Sequence, residues 1–170
     1  MNPLNAFDNK NWTPDVEIVL ANIASNSAQM SEHHKQMYEK LIHKLMYYKI
    51  PSIILSSLNS VFAVGLSAFI QQNIVSTITC LISLLVGCIG SVELYLSIQR
   101  RSDSELLSYR QFYSLSIKIN AVLKLETEHR DTDGTVFLTS CLGEYTSLVE
   151  SAQVNGLGVD DELLGLKPIK

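Results

Sequence analysis

No charged side chain occurs in residues 50–92, and over all 170 residues the charged types make up only 18%, against about a quarter in ordinary globular proteins. The charge that is present is weakly acidic, a formal −4 with a pI near 5.5. The basic stripe that a phosphate backbone demands is missing, so nucleic acid is not expected as a partner. Cysteine is scarce too. Cys80, Cys88 and Cys141 are odd in number and lack C-x-x-C spacing, which speaks against a disulfide framework and a zinc site. The first residues show no basic segment followed by an apolar core, so no cleavable secretory signal is read. There is no internal repeat.

Chemistry is equally thin. His33 and His34 beside Glu32, with His43 further on, form neither H-E-x-x-H nor a carboxylate cluster at helical spacing; they read as surface or seam residues of a helix. "GLGVDDELLG" lacks the alternating ligands of a calcium loop, and "NGLG" follows no strand that would make it a phosphate loop. No nucleophile can be matched with a base. The expectation is a non-enzymatic protein with no catalytic residue, metal or cofactor.

What is present is apolar and helical. The mean hydropathy of +0.16 is concentrated in the middle of a chain of single-domain length. After an N-terminal tail, residues 1–12, residues 13–49 read as one long amphipathic helix. Thr13 suits the N-cap, Pro14 the first helical position, and Asp15 and Glu17 the positive end of the helix dipole. Val16, Leu20, Ile23, Ser27, Met30, His34, Met37 and Leu41 alternate four and three residues apart, a seam of coiled-coil type. Ser27 and His34 weaken it, which favours packing against another part of the same molecule.

Pro51 interrupts the pattern. Residues 50–70 and 74–98 are then each long enough, at ~1.5 Å per residue, to cross a hydrocarbon core, with "QQN" at 71–73 as a polar turn. They read as a hairpin in a bilayer; the alternative is a pair of buried helices in a soluble bundle. Lys35, Lys40, Lys44 and Lys49 precede the first run, and Arg100, Arg101 and Arg110 follow the second. Lys49, Arg100 and Arg101 serve as interfacial anchors, and the positive-inside tendency puts both termini on the cytoplasmic, or virion-interior, side. Residues 99–152 continue as cytoplasmic helices. One carries Leu106, Tyr109, Tyr113, Ile117 and Ala121 on a face; another, after a turn at 131–134, carries Phe137, Cys141, Tyr145 and Leu148. Residues 153–170 read as a loose tail. The expected fold class is all-α: a two-span transmembrane helical hairpin with a juxtamembrane antiparallel helical bundle.

Helices in lipid associate through small residues and interhelical hydrogen bonds. Ser52, Ser56, Ser60, Ala63 and Ser67 share a sector of the first run with Asn59 beside them, and Thr79, Ser83, Gly87 and Ser91 recur every four residues in the second. An antiparallel pair would put Ser60 level with Gly87 and Ser56 with Ser91. The stripes read as the seam of the hairpin, or else as a polar pore lining. Glu93 falls on the side of Ile82, Val86 and Ile89, away from that stripe, and roughly 7 to 8 Å inside the inner boundary. Three roles stay open for it: pairing with Arg100, Lys49 or another lysine, or snorkelling; facing a partner subunit or a pore; and proton-linked chemistry. Glu93 and Asn59 are the candidates for oligomer or pore contacts.

The layout of Trp12, a long helix, "IPSIILSSLNS", a polar turn, a second run and "SYRQFYSLSIKINAVLKLETEHRDTDGTVFLTSCLGEYTSLVESA" resembles the SLATT-type two-transmembrane proteins, and more closely their relatives in nucleocytoplasmic large DNA viruses. The resemblance covers residues 12–152. It implies a membrane module with a cytosolic helical bundle, of a kind whose bacterial members act as pore-forming effectors triggered through attached sensor domains. The expected function is therefore an oligomeric pore-forming or membrane-perturbing module. The alternative is a structural membrane protein of a viral particle, inner-membrane or minor capsid. Expected partners are the lipid bilayer, further copies of the chain, and capsid or other membrane proteins.

Overall fold

A computed structural model describes residues 11–65 and 69–152. Ser67 and the tail at 153–170 lie outside the described residues, as does most of the tail at 1–12. Four helices follow in order: α1 (Pro14–Gly65), α2 (Gln72–Leu96), α3 (Ile98–Leu123) and α4 (Gly134–Ser151), with a 3-10 turn at Thr127–His129 between the last two. The described residues group into two compact units, one formed by residues up to 36 and from 104 on, the other by residues 37–103.

The all-α expectation holds, but the two-span hairpin does not. Among the described residues only α2 is long and apolar enough to cross a membrane. The first expected span is instead the distal part of α1, which runs for 52 residues with Pro51 inside it. Its uncharged described part, residues 50–65, would reach only about 24 Å at ~1.5 Å per residue. Five of those residues, Ser52, Ser56, Ser57, Asn59 and Ser60, are polar. The inference that both termini lie on one side, which needed two crossings, falls with it.

The helix continues through Pro51, which stands on its exposed face, at the cost of one backbone hydrogen bond. The seam continues past it. Val16, Leu20, Ile23, Ser27, Met30 and His34 are buried, and beyond Leu45 the less exposed positions are Tyr48, Ser52, Leu55, Asn59 and Phe62. The four-and-three alternation is thus kept through the whole helix, with one additional four-residue step between Leu41 and Leu45.

The first unit is a three-helix core. Thr13 caps α1, its hydroxyl accepting from Val16 N at 3.4 Å. Leu20, Ile23 and Met30 of α1, Phe112, Leu115 and Ile119 of α3, and Phe137, Cys141 and Tyr145 of α4 form one buried cluster. The expected face of α4 is the buried one. That of α3 is not: Tyr113, Ile117 and Ala121 are exposed, and Phe112, Leu115, Ser116 and Ile119 are buried instead. Phe112 decides this by stacking on His34 at 5.6 Å and meeting Tyr145 edge-on at 6.3 Å.

His33 and His34 divide: His33 is half-buried, while His34 is 3% exposed. Nδ1 of His34 is 2.6 Å from Glu105 Oε2. Ser27 Oγ and His34 Nε2 are buried without a partner among the described residues. A polar row therefore runs along an apolar seam, where each unpaired atom costs about 1–3 kcal/mol.

The turn that joins α3 to α4 closes this unit. Arg130, 5% exposed, donates to the carbonyls of Leu125 (3.0 Å) and Leu123 (3.3 Å) and to Glu17 on the first turn of α1. It thereby supplies donors to carbonyls that the end of α3 leaves unpaired. Its guanidinium lies 4.4 Å from the centre of the Trp12 ring, and Trp12 Nε1 donates to Thr132 O at 2.9 Å. Asp133 caps α4, accepting from Thr135 N and Val136 N. Gly134 is required by space: a Cβ there would stand 2.7 Å from Asn11 O.

Candidate functional site

The second unit carries the membrane-type sequence, and α2 is its centre. Only 6% of its most apolar stretch is buried. Leu81, Leu84, Leu85, Val92 and Leu94 are exposed. A core helix of a water-soluble bundle would hide such a surface, because each fully buried Leu or Val contributes roughly 1.5–3 kcal/mol. Here it is left open on most sides.

One face of α2 is covered. Its less exposed positions are Val75, Thr79, Ile82, Val86, Ile89 and Glu93, four and three residues apart, with Gly90 beside them. They match the row Leu45, Tyr48, Ser52, Leu55, Asn59 and Phe62 of α1. Two cross-links fix the antiparallel register. Asn59 Nδ2 donates to Ser83 Oγ at 3.1 Å, and Lys49 Nζ lies 3.7 Å from Glu93 Oε1; stepping ten residues along one helix steps ten back along the other. Ser60 is therefore not level with Gly87, nor Ser56 with Ser91.

The small-residue stripes lie mostly off the covered face, although Ser83 accepts the cross-helix bond from Asn59. Ser56, Ser60, Ala63, Ser83, Gly87 and Ser91 are exposed, and only Ser52 and Thr79 among the described stripe residues are partly covered. A Cβ added at Gly87 would meet nothing within 4 Å. Helical phase explains the outcome. A pair crossing at a shallow angle holds contact at an average of 3.5 residues, whereas a strict four-residue repeat drifts around the helix. Two of the hydroxyls are satisfied within their own helix: Ser60 donates to Ser56 O at 3.1 Å, and Ser91 to Gly87 O at 2.8 Å.

Glu93 is on the covered face, opposite to its expected orientation relative to the seam, and it meets Lys49 from the set of expected cations. Lys49 also donates to Gln99 Oε1 at 2.8 Å, a residue that no motif or spacing singles out. Between the two lies Ser97 in the left-handed conformation, φ 48°, which breaks α2 from α3 and costs roughly 1–2 kcal/mol for a residue with a side chain. Arg100 and Arg101 are exposed just beyond it. Asn59 keeps one buried atom, Oδ1, without a partner among the described residues.

Comparison with known proteins adds little chemistry. No family model matches the chain, and no solved structure does. It is similar to a protein of Micromonas pusilla reovirus (isolate Netherlands/2005) printed as "Uncharacterized protein VP11", 28% identical over 144 residues, which is 85% of this chain and 74% of that protein. The likeness is to a viral protein whose printed name assigns no activity. None of these comparisons carries a signal specific to SLATT-type proteins or to large DNA viruses.

Proposed function

We propose that this is a non-enzymatic, membrane-associated helical protein that inserts α2 into a bilayer. The observation that carries the reading is the pairing of length and apolarity in α2 with an almost uncovered surface. At ~1.5 Å per residue its 25 residues reach about 37 Å, against a hydrocarbon core of ~30 Å. The charged residues of the second unit lie beyond both its limits in sequence or, like Glu93, close to one end of it with a lysine beside them.

The finer part of the proposal is assembly of several copies through the open face of α2, giving a membrane-perturbing oligomer of the kind the SLATT resemblance implies. It is supported by the exposed stripe of Ser83, Gly87 and Ser91, which lets a second helix approach closely. Glu93 and Asn59 carry less of this reading than the sequence suggested, since each has a partner within the chain.

Flotation on a density gradient tests the anchor. The full chain is expected to rise with vesicles of pure phosphatidylcholine and to resist carbonate extraction. Leu84→Arg with Leu85→Arg should leave it at the bottom, because a cation at mid-membrane costs about 2.5–3.5 kcal/mol. Wild-type protein that stays with the soluble fraction would refute the proposal.

A further inference from the structure

A cavity of about 300 Å³ opens in the second unit where the flank of α1 meets the break between α2 and α3. That is the lower end of the ~300–1,000 Å³ range of small-ligand sites. Two of its walls are cationic, Lys44 from α1 and Arg101 from α3. Neither forms an ion pair among the described residues. Of the three acids in this unit, Glu93 is held by Lys49, and among the described residues neither Glu39 nor Asp103 pairs with a cation.

Local charge supports an anion. Residues 37–103 hold five lysines and arginines against three acids, a surplus of two positive charges in a chain whose total is −4. All eight of these residues lie within 37–49 and 93–103, so the positive surplus sits at the cavity's end of the unit. The rest of the lining is not that of a site for a small free anion. Leu41, Leu96 and Ile98 give it an apolar wall, the last two flanking the left-handed Ser97. Tyr47 and Tyr48 add two rings that meet edge-on at 5.8 Å. Phosphate geometry suits Arg101, whose planar fork binds two oxygens, with Lys44 as a point charge.

We infer that this cavity binds a phosphate group, and specifically the headgroup of an anionic phospholipid, with Lys44 and Arg101 on the phosphate and Leu41, Leu96 and Ile98 against the first part of an acyl chain. The lipid source rests on the proposed insertion of α2. Arg101 lies five positions beyond Leu96, the last residue of α2, just past the break at Ser97, which puts it near the end of the proposed span, where the headgroup layer begins. Tyrosines at that depth match the aromatic belt of membrane proteins.

The test uses the full chain in vesicles of phosphatidylcholine with one-fifth phosphatidylglycerol, extracted into dodecyl maltoside, with the lipid kept by each chain measured by mass spectrometry. Wild type should retain phosphatidylglycerol well above its share of the mixture. Each cation near an anionic surface contributes about fivefold, so Lys44→Gln with Arg101→Gln should reduce the enrichment by up to about thirtyfold. Arg100→Gln, a neighbouring cation that does not line the cavity, should lower it by no more than the about fivefold of one surface cation. Equal retention by the double variant and wild type, or an equal loss in Arg100→Gln, would overturn the site. Excess inorganic phosphate separates the sources: if it strips the lipid, the site takes free phosphate; if not, it takes the headgroup with its chain. Flotation separates this inference from the anchor. Rising with pure phosphatidylcholine while the double variant keeps its lipid defeats the site alone. Rising only with phosphatidylglycerol, through Lys44 and Arg101, keeps the site and defeats the anchor. Rising with neither defeats both. Circular dichroism of the double variant should match wild type, both changes being at exposed positions.

Discussion

Lys49 Nζ and Glu93 Oε1 stand 3.7 Å apart, joining α1 to α2 near the end of the apolar run. Glu93 thus stands beside a cation of its own chain, which keeps a carboxylate affordable near lipid. Lys49 remains partly accessible, so the pair is worth about 0.2–1 kcal/mol, the range of exposed pairs. A double-mutant cycle with Lys49→Met and Glu93→Gln, read by thermal unfolding in mild detergent, should show coupling of that size. Strict additivity would mean that the contact carries no energy.

Asn59 sits on the helix seam with a cross-helix bond to Ser83 and a buried oxygen that lacks a partner among the described residues. The bond contributes about 0.6 kcal/mol in a membrane protein, while an unmet buried acceptor costs about 1–3 kcal/mol. Asn59→Leu should therefore stabilise the pair of helices by roughly 1 kcal/mol. Gly87→Leu should be neutral for folding, since nothing lies within 4 Å of its Cβ position, and should lower oligomer content if the stripe brings copies together. Cross-linking in detergent reads the second effect.

Gly134 and Arg130 hold the first unit closed. Gly134→Ala forces a Cβ against Asn11 O at 2.7 Å, and overpacking of this kind costs about 1–3 kcal/mol. Arg130→Met removes donors to Glu17 and to two carbonyls, for about 2–3 kcal/mol. Arg130→Lys should recover little, because an ammonium cannot serve the same fork of acceptors. Thermal unfolding followed at Trp12, which lies against Arg130, reports both.

Asp133 gives the acid limb of stability. Its carboxyl is held below the ordinary range by the Thr135 hydroxyl first, then by Val136 N, with Asn11 also donating. A lowered folded-state pKa contributes stability that is present above the ordinary value near 3.8 and is lost as the pH falls through the folded value. Asp133→Asn should flatten this part of the unfolding profile between neutral pH and the acid range. Burial pushes the Cys141 thiol up, so it should resist alkylation until the unit unfolds.

Much of the fold was legible where spacing is local. The start of α1, its seam from Val16 to Leu41 and the Phe137–Cys141–Tyr145–Leu148 face follow from 4–3 periodicity and capping chemistry. On α3 the row expected from spacing missed the buried face, which is set by the stack of Phe112 on His34, a partner 78 positions away. The small-residue stripes were persuasive because a four-residue repeat is easy to see. The quieter row of Ser52, Leu55, Asn59 and Phe62, in phase with the seam before Pro51, was the one that packs. Arg130 could not be placed from the sequence, since its partner Glu17 is distant along the chain; the "RDTDG" segment stood out for resemblance, and its role is closure of the first unit.

Cys80 and Cys88 test the central claim most directly, because both are exposed on α2 while Cys141 is buried. The full chain in phosphatidylcholine vesicles is treated with a membrane-impermeant maleimide. If α2 is inserted, neither Cys80 nor Cys88 reacts until the vesicles are dissolved in denaturant, after which all three thiols label. Rapid labelling of Cys80 and Cys88 in intact vesicles, at the rate of an exposed thiol in water, would contradict the account.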